Sequence, residues 1–215
     1  MEVLTIKEIK YKYPVSLDIA EKLLEEHIVT NPIKILNWKK FNYLPEVYFR
    51  TGYSGNEIWL KYYVKEKHLR AVETRTNGDV YKDNCVEFFL SLDGINYYNF
   101  EFNCIGTIHL GWGPGRHNRK LVDPSIINKM EVRSSFGNQI ITERSGNFEW
   151  EIMIRIPMVC LAFDHLSTFK GIKAKGNFYK CGDETKVPHY VTWKPVKTEN
   201  PDYHRPEFFG DLFFE

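Results

Sequence analysis

The sequence predicts an all-β protein with one short helix near its N-terminus, folded as an antiparallel sandwich or barrel. Three observations predict it. From residue 45 onward apolar and polar residues alternate with a period of two, in runs such as EIWLKYYVKE, NCVEFFLSL and NFEWEIMIRI. Turn signals punctuate these runs: Ser54-Gly55-Asn56, Asn77-Gly78-Asp79, Asp93-Gly94, Gly137-Asn138 and Ser145-Gly146-Asn147. Aromatic residues make up 15% of the chain, a content that suits strands and also suits recognition by flat rings.

The helix comes first in chain order. Ser16 is a plausible N-cap for LDIAEKLLEEH, in which Ile19, Leu23 and Leu24 share one side, acidic residues come early and His27 comes late. It ends before Asn31-Pro32. Strand runs then follow one another, from EVYFRTGY to the closing DLFFE, without an internal repeat or a low-complexity linker. Two irregular pieces stand out for length: GWGPGRHNRKLVDPS (111–125) and KPVKTENPDYHRPE (194–207). Long connections in a compact sheet protein are commonly either functional or mobile. Arg116, His117, Arg119 and Lys120 in the first piece are candidates to receive an anionic group, although such a cluster is usually just solvated.

At 215 residues and 43% hydrophobic content, the chain is long enough to bury a sizeable core as one globular unit. Its net charge of +1, from 29 basic and 28 acidic residues, provides no general field for a polyanion. Nucleic acid and membrane surfaces are therefore excluded as expected partners. No apolar run has signal-peptide or membrane-spanning length, so the chain as written reads as soluble and cytoplasmic, or as periplasmic or secreted if a leader was removed. The four cysteines, Cys85, Cys104, Cys160 and Cys181, form no CxxC pair and read as free thiols. Strand parity puts Cys85 and Cys104 on opposite faces, which argues against bridging them.

The run VYKDNCVEFFLSLDG carries the most informative charge. Val86, Phe88 and Leu90 share one face of a strand, so Glu87 points the other way, to solvent, a groove or a ligand. On the next strand Asn99, Glu101 and Asn103 share a face that can lie beside it. Two carboxyl groups are what glycoside hydrolysis requires, one as acid and one as base or nucleophile. Two acids among Tyr, Phe and Asn on a sheet face also bind hydroxyls with no proton transfer, and this is the stronger reading; no residue is assigned as catalytic. Ser167-Thr168-Phe169-Lys170 fits SxxK without its companion motifs. The seven His residues form no ligand pair of helical spacing, and no metal site is legible.

Together the blocks VYKDNCVEFFLSLD, YYNFEFNCIGT, NFEWEIMIRIP, KGNFYKCGD, VTWKPV and YHRPEFFGDLFF resemble carbohydrate-binding module family 9, especially the family-9-like single-domain proteins of gut bacteria. The resemblance covers roughly residues 35 to 215, with residues 1–34, including the helix, as an extension outside it. It implies an antiparallel, immunoglobulin-like β-sandwich that clamps a sugar between two aromatic rings, with acids and amides around its rim. Carried over by position, the clamp falls on Tyr81 and Trp193. The rim falls on Glu87, Glu101, Asn103 and Tyr179, with Cys181 and Asn177 nearby. Glu101 stands where the family has Arg, and Tyr81 where it has Trp. The resemblance implies a mono- or oligosaccharide partner and no cofactor, with calcium as a family option. Two other readings follow from the same residues: an enzyme acting on a glycan, and a haem-binding sandwich with Met130, Met153 or Met158 opposite a His.

Overall fold

The computed structural model describes residues 3–12 and 14–215. Strand β1 (Leu4–Glu8) is followed by helix α1 (Leu17–His27), the two-residue strands β2 (Asn31–Pro32) and β3 (Ile35–Leu36), and the long hairpin β4 (Glu46–Ser54) and β5 (Glu57–Ala71). Next come β6 (Cys85–Ser91), β7 (Tyr97–Asn103), β8 (Ile108–Gly113), β9 (Lys120–Leu121), the single turn α2 (Pro124–Ile127) and β10 (Glu131–Ser134). The chain ends with β11 (Ile141–Pro157), β12 (Lys173–Gly182), β13 (His189–Thr192) and β14 (Gly210–Phe214).

The strands form two layers of a sandwich. One runs β10-β11-β5-β4, and the other β14-β12-β6-β7-β8-β9, with β13 also paired to β12 and β3 to β13. Strand β1 joins them, pairing parallel with β14 at Leu4↔Leu212 and parallel with β4 at Lys7↔Gly52. One correction to the expected architecture follows: among the described residues the sandwich is antiparallel except at β1. The described N-terminal residues pack into it, with Ile6 and Ile33 buried in the main core. α1 is equally integral. Its Ala20 and Leu24 are fully buried on the outer face of the first layer, against a cluster that includes Trp59 and Met153, while Ile19 faces solvent. Ser16 Oγ accepts from the Ile19 amide, as the N-cap reading requires.

Between the layers the core is aromatic. Phe49 of β4 stacks on Phe178 of β12 with ring centroids 3.8 Å apart, and Phe178 stacks on Phe88 at 4.6 Å. Burying each such side chain contributes about 1.5–3 kcal/mol. A polar network also bridges the layers. Lys180 Nζ lies 3.0 Å from Glu66 Oε2 and 2.7 Å from His189 Nε2, and Trp150 Nε1 donates to Glu66 Oε1 at 2.6 Å. Burial, then the Lys180 charge, holds His189 well below its ordinary pKa. The ring is therefore neutral, with Nδ1 donating to the Val187 carbonyl and Nε2 accepting from Lys180.

The second layer is covered on its outer face too, and this explains why all seven residues of β6 are buried. Phe89, Tyr97, Tyr179, Cys85 and Cys181 on that face pack against Trp38, Val196, Tyr203 and Phe209, most of which the 194–207 segment and its flanks bring over the sheet. The segment is a packed cover, and the site lies where the cover leaves a gap.

Candidate functional site

Register builds the floor of that gap. Tyr179, Glu87, Glu101 and His109 are successive partners across β12, β6, β7 and β8, so their side chains form one row on the outer face. Cys181, Cys85 and Asn103 form the next row. Above them lies a cleft of about 330 Å³, a volume in the range of small-molecule sites. Glu87, Glu101, His109 and Cys181 are at its floor. Tyr81, Tyr190, Tyr203 and His204 supply rings, and Asp79, Asp183, Arg116, Arg119, Pro201 and Asp202 complete the lining.

Several lining groups are held by contacts between segments distant in the chain. Tyr81 rides on the 3₁₀ turn Val80–Lys82 just before β6 and is 37% exposed. The turn is pinned from below by Asp83, which is fully buried, pairs with Arg70 and accepts from the Val72 and Glu73 amides at 2.9 and 2.8 Å. Tyr190 of β13 lies opposite Cys181 and shares the cleft wall with Asp183. Its ring meets Phe41 edge-on at 4.8 Å. Tyr203 stacks on Tyr179 at 4.0 Å and 10°, and its hydroxyl donates to the Lys180 carbonyl at 3.0 Å. Arg116 pairs with Asp202 at 3.2 Å, and Arg119 Nη1 approaches His204 Nδ1 at 3.4 Å.

The electrostatics of the cleft follow from burial. Glu87 is 3% exposed; desolvation, then the neighbouring Glu101 charge, raises its pKa well above the ordinary carboxylate value. Its Oε1 accepts from the Cys181 thiol at 3.0 Å. Glu101 turns the other way, with Oε1 held by the Asn99 amide at 2.7 Å. Asp183 is raised to about 6, first by burial. His204 is lowered to about 2 by burial and then by Arg119 and Arg116, so it is neutral. The cleft thus combines flat rings with a dense set of donors and acceptors.

The six residues expected to touch a ligand divide. Tyr81, Glu87 and Glu101 line the cleft. Tyr179 lies one layer below, fully buried, supporting Tyr203. Asn103 does not reach the cleft: its amide donates to the Glu73 carbonyl at 2.8 Å and to Asp83 at 3.0 Å, and its oxygen accepts from the Thr107 amide. It positions the turn that carries Tyr81. Trp193 is on the other face of the sheet, edge-on to Phe178 at 5.5 Å and Phe49 at 6.1 Å in the core between the layers. The expected clamp of Tyr81 with Trp193 is therefore not formed.

The reason is parity. The Trp193 amide donates to the Phe178 carbonyl, which puts the residue in register with a core-facing ring, whereas Tyr190, an odd number of residues away, faces the cleft. Sequence reading also missed Asp183, Asp202, Tyr203 and His204. Their signal was the length of the 194–207 connection and the turn after β12, since ligand contacts concentrate on such segments.

The comparisons with known proteins agree with this fold. A model of carbohydrate-binding family 9 matches residues 18–214, a span that takes in α1 from its second residue and so begins earlier than the expected residue 35. A crystal structure of a candidate carbohydrate-binding protein from Bacteroides uniformis is 37% identical, with TM-score 0.95, covering 100% of this chain and 99% of that one. Two structures of a family 9 module from Caldicellulosiruptor kristjanssonii, in complex with cellotriose and with glucose, share the fold at TM-score 0.60 and 12% identity. They cover 98% of this chain and 93% and 95% of theirs. No curated protein matches the chain. With nearly its whole length accounted for by the family model, this chain belongs to carbohydrate-binding family 9.

Proposed function

We propose that the protein binds carbohydrate without catalysis, in the cleft above Glu87 and Glu101. A pyranose presents C–H groups on its faces and hydroxyls around its edge, and it needs apolar rings beside convergent polar groups. The observation that carries the reading is that Tyr81 and Tyr190 line the same cleft as the Glu87–Glu101 pair. In this arrangement Tyr81 and Tyr190 supply ring surfaces in place of the expected Tyr81 and Trp193. Glu87 donates and accepts as a neutral acid, and Glu101 accepts from hydroxyls. Family membership supports the ligand class, as do the family 9 modules solved with glucose and cellotriose.

Hydrolysis is disfavoured by the same geometry. The two acids are direct cross-strand partners on one floor, whereas a glycosidase flanks the scissile bond from two sides. Calorimetric titration with glucose, cello-oligosaccharides and a wider glycan panel tests the reading. Wild type binds at least one sugar, and Tyr81→Ala weakens it about tenfold, the loss of roughly one stacking contact. Absence of binding to every glycan, or release of sugar from a chromogenic glycoside, overturns it.

A further inference from the structure

Beneath the proposed sugar cleft lies a group of side chains, one of them Glu87, whose two thiols carbohydrate binding does not use. Cys85 and Cys181 are direct partners across β6 and β12, and Glu87 follows two residues after Cys85 on the same face. The ligand atoms of the three lie within 4.8 Å of one another, with Cys181 Sγ 3.0 Å from Glu87 Oε1. All three residues are buried, at 0%, 3% and 1% exposure in chain order. Both cysteines are free thiols. Glu87 and Cys181 line the cleft, which provides a route in from solvent.

We propose that Cys85, Glu87 and Cys181 form a binding site for a thiophilic divalent cation, zinc in the first instance, entered from the cleft floor. Zinc takes thiolate sulfur at about 2.3 Å and carboxylate oxygen at about 2.0–2.2 Å in a tetrahedron, which places neighbouring donor atoms roughly 3.6–3.8 Å apart. The three donor atoms lie within 4.8 Å of one another, and loading requires the Cys181 Sγ–Glu87 Oε1 pair, now 3.0 Å apart, to part to the metal-bound spacing. The fourth position faces the cleft, where water or another small oxygen donor completes the shell.

Charge is consistent with a resident cation. Two thiolates and a carboxylate around a dication leave one net negative charge, and Arg119, whose charge already acts on Glu87, is placed to offset it. Burial keeps both thiols protonated in the metal-free protein, so loading displaces their protons to solvent as the metal–sulfur bonds form. No electron transfer is involved. Hard oxygen-seeking ions such as calcium are disfavoured by the two sulfur donors.

Glu87 is shared with the proposed sugar site, and the test separates the two because its probe is the metal alone. Protein stripped with a chelator and kept reduced with a phosphine is titrated with Co²⁺ in the absence of glycan. One Co²⁺ per chain is expected, with a thiolate-to-cobalt charge-transfer band and the intense visible transitions of four-coordinate cobalt, both abolished by added Zn²⁺. Cys181→Ser roughly halves the charge-transfer intensity, the double variant Cys85→Ser with Cys181→Ser loses it, and Cys104→Ser, at a buried thiol elsewhere in the core, keeps it in full. If Cys181→Ser fails to fold, Glu87→Gln retains the band with a weaker association constant. No thiolate band in wild type, a band of undiminished intensity in the double variant, or a Cys85–Cys181 disulfide found by thiol counting before any reductant is added overturns the proposal.

Discussion

Glu87 and Glu101 stand directly opposite each other on neighbouring strands, both almost fully withdrawn from solvent, on the face of the sheet turned away from the core. Side chains at such positions are about 4.5–5.5 Å apart at Cβ, too close for two buried charges without a cost. The structure relieves it by divergence. Glu87 leans toward the Cys181 thiol and Glu101 toward the Asn99 amide, and burial with the Glu101 charge favours the protonated form of Glu87.

The first prediction concerns that proton. Because the folded-state pKa of Glu87 is raised above 4.5, its contribution to stability is complete below 4.5 and declines as pH rises through the folded value. Glutamine cannot titrate. Relative to wild type, Glu87→Gln gains stability as pH is raised above 4.5, measured as the difference in urea midpoints. A difference independent of pH would mean that Glu87 is ionised in the fold.

His204 has the opposite sign. Its folded pKa of about 2 lies below 6.5, so the stability it contributes is complete above 6.5 and is lost as pH falls toward the folded value. His204→Gln loses the hydrogen bond to Tyr97 at every pH, yet gains on wild type as pH falls below 6.5. Thermal unfolding at a series of pH values reads the crossover; parallel curves sink the assignment.

Trp193 is a core residue, and its removal affects folding rather than recognition. Trp193→Ala destabilises by about 3 kcal/mol, the lower end for such truncations because the ring is half-buried. The folded variant keeps the wild-type sugar affinity. A stable variant with lost affinity would put the ring back in the site.

The Lys180–Glu66 pair joins the two layers where neither group can reach water. Lys180→Met leaves Glu66 buried beside Trp150 without its cation and costs about 3–5 kcal/mol. Adding Glu66→Gln recovers part of the loss. Urea denaturation of the single and double variants decides it, with additive losses as the contrary outcome.

Much of this was legible in the sequence because a sheet writes its faces in a period of two. Val86 and Phe88 lie in the core and Glu87 lies opposite, as alternation requires. Alternation does not say whether the outer face is wet. At β6 it is covered by a segment more than a hundred residues later in the chain, so the face that parity left to solvent, a groove or a ligand is a buried floor. Pairing between distant strands was equally invisible: Cys85 beside Cys181, and β1 between β4 and β14, depend on contacts that no local pattern encodes. The error at Trp193 was avoidable. In HYVTW, residues 190 and 192 share one face and 191 and 193 the other, so the buried Val191 marks Trp193 as inward-facing.

A crystal structure with a bound glycan, chosen as the tightest binder in titration, tests the account most directly. The account predicts a sugar ring in the cleft, in contact with Tyr81 and Tyr190, with hydroxyls on Glu87 and Glu101 and with Trp193 unmoved in the core. A sugar bound elsewhere on the sandwich, with this cleft left to solvent, would contradict it.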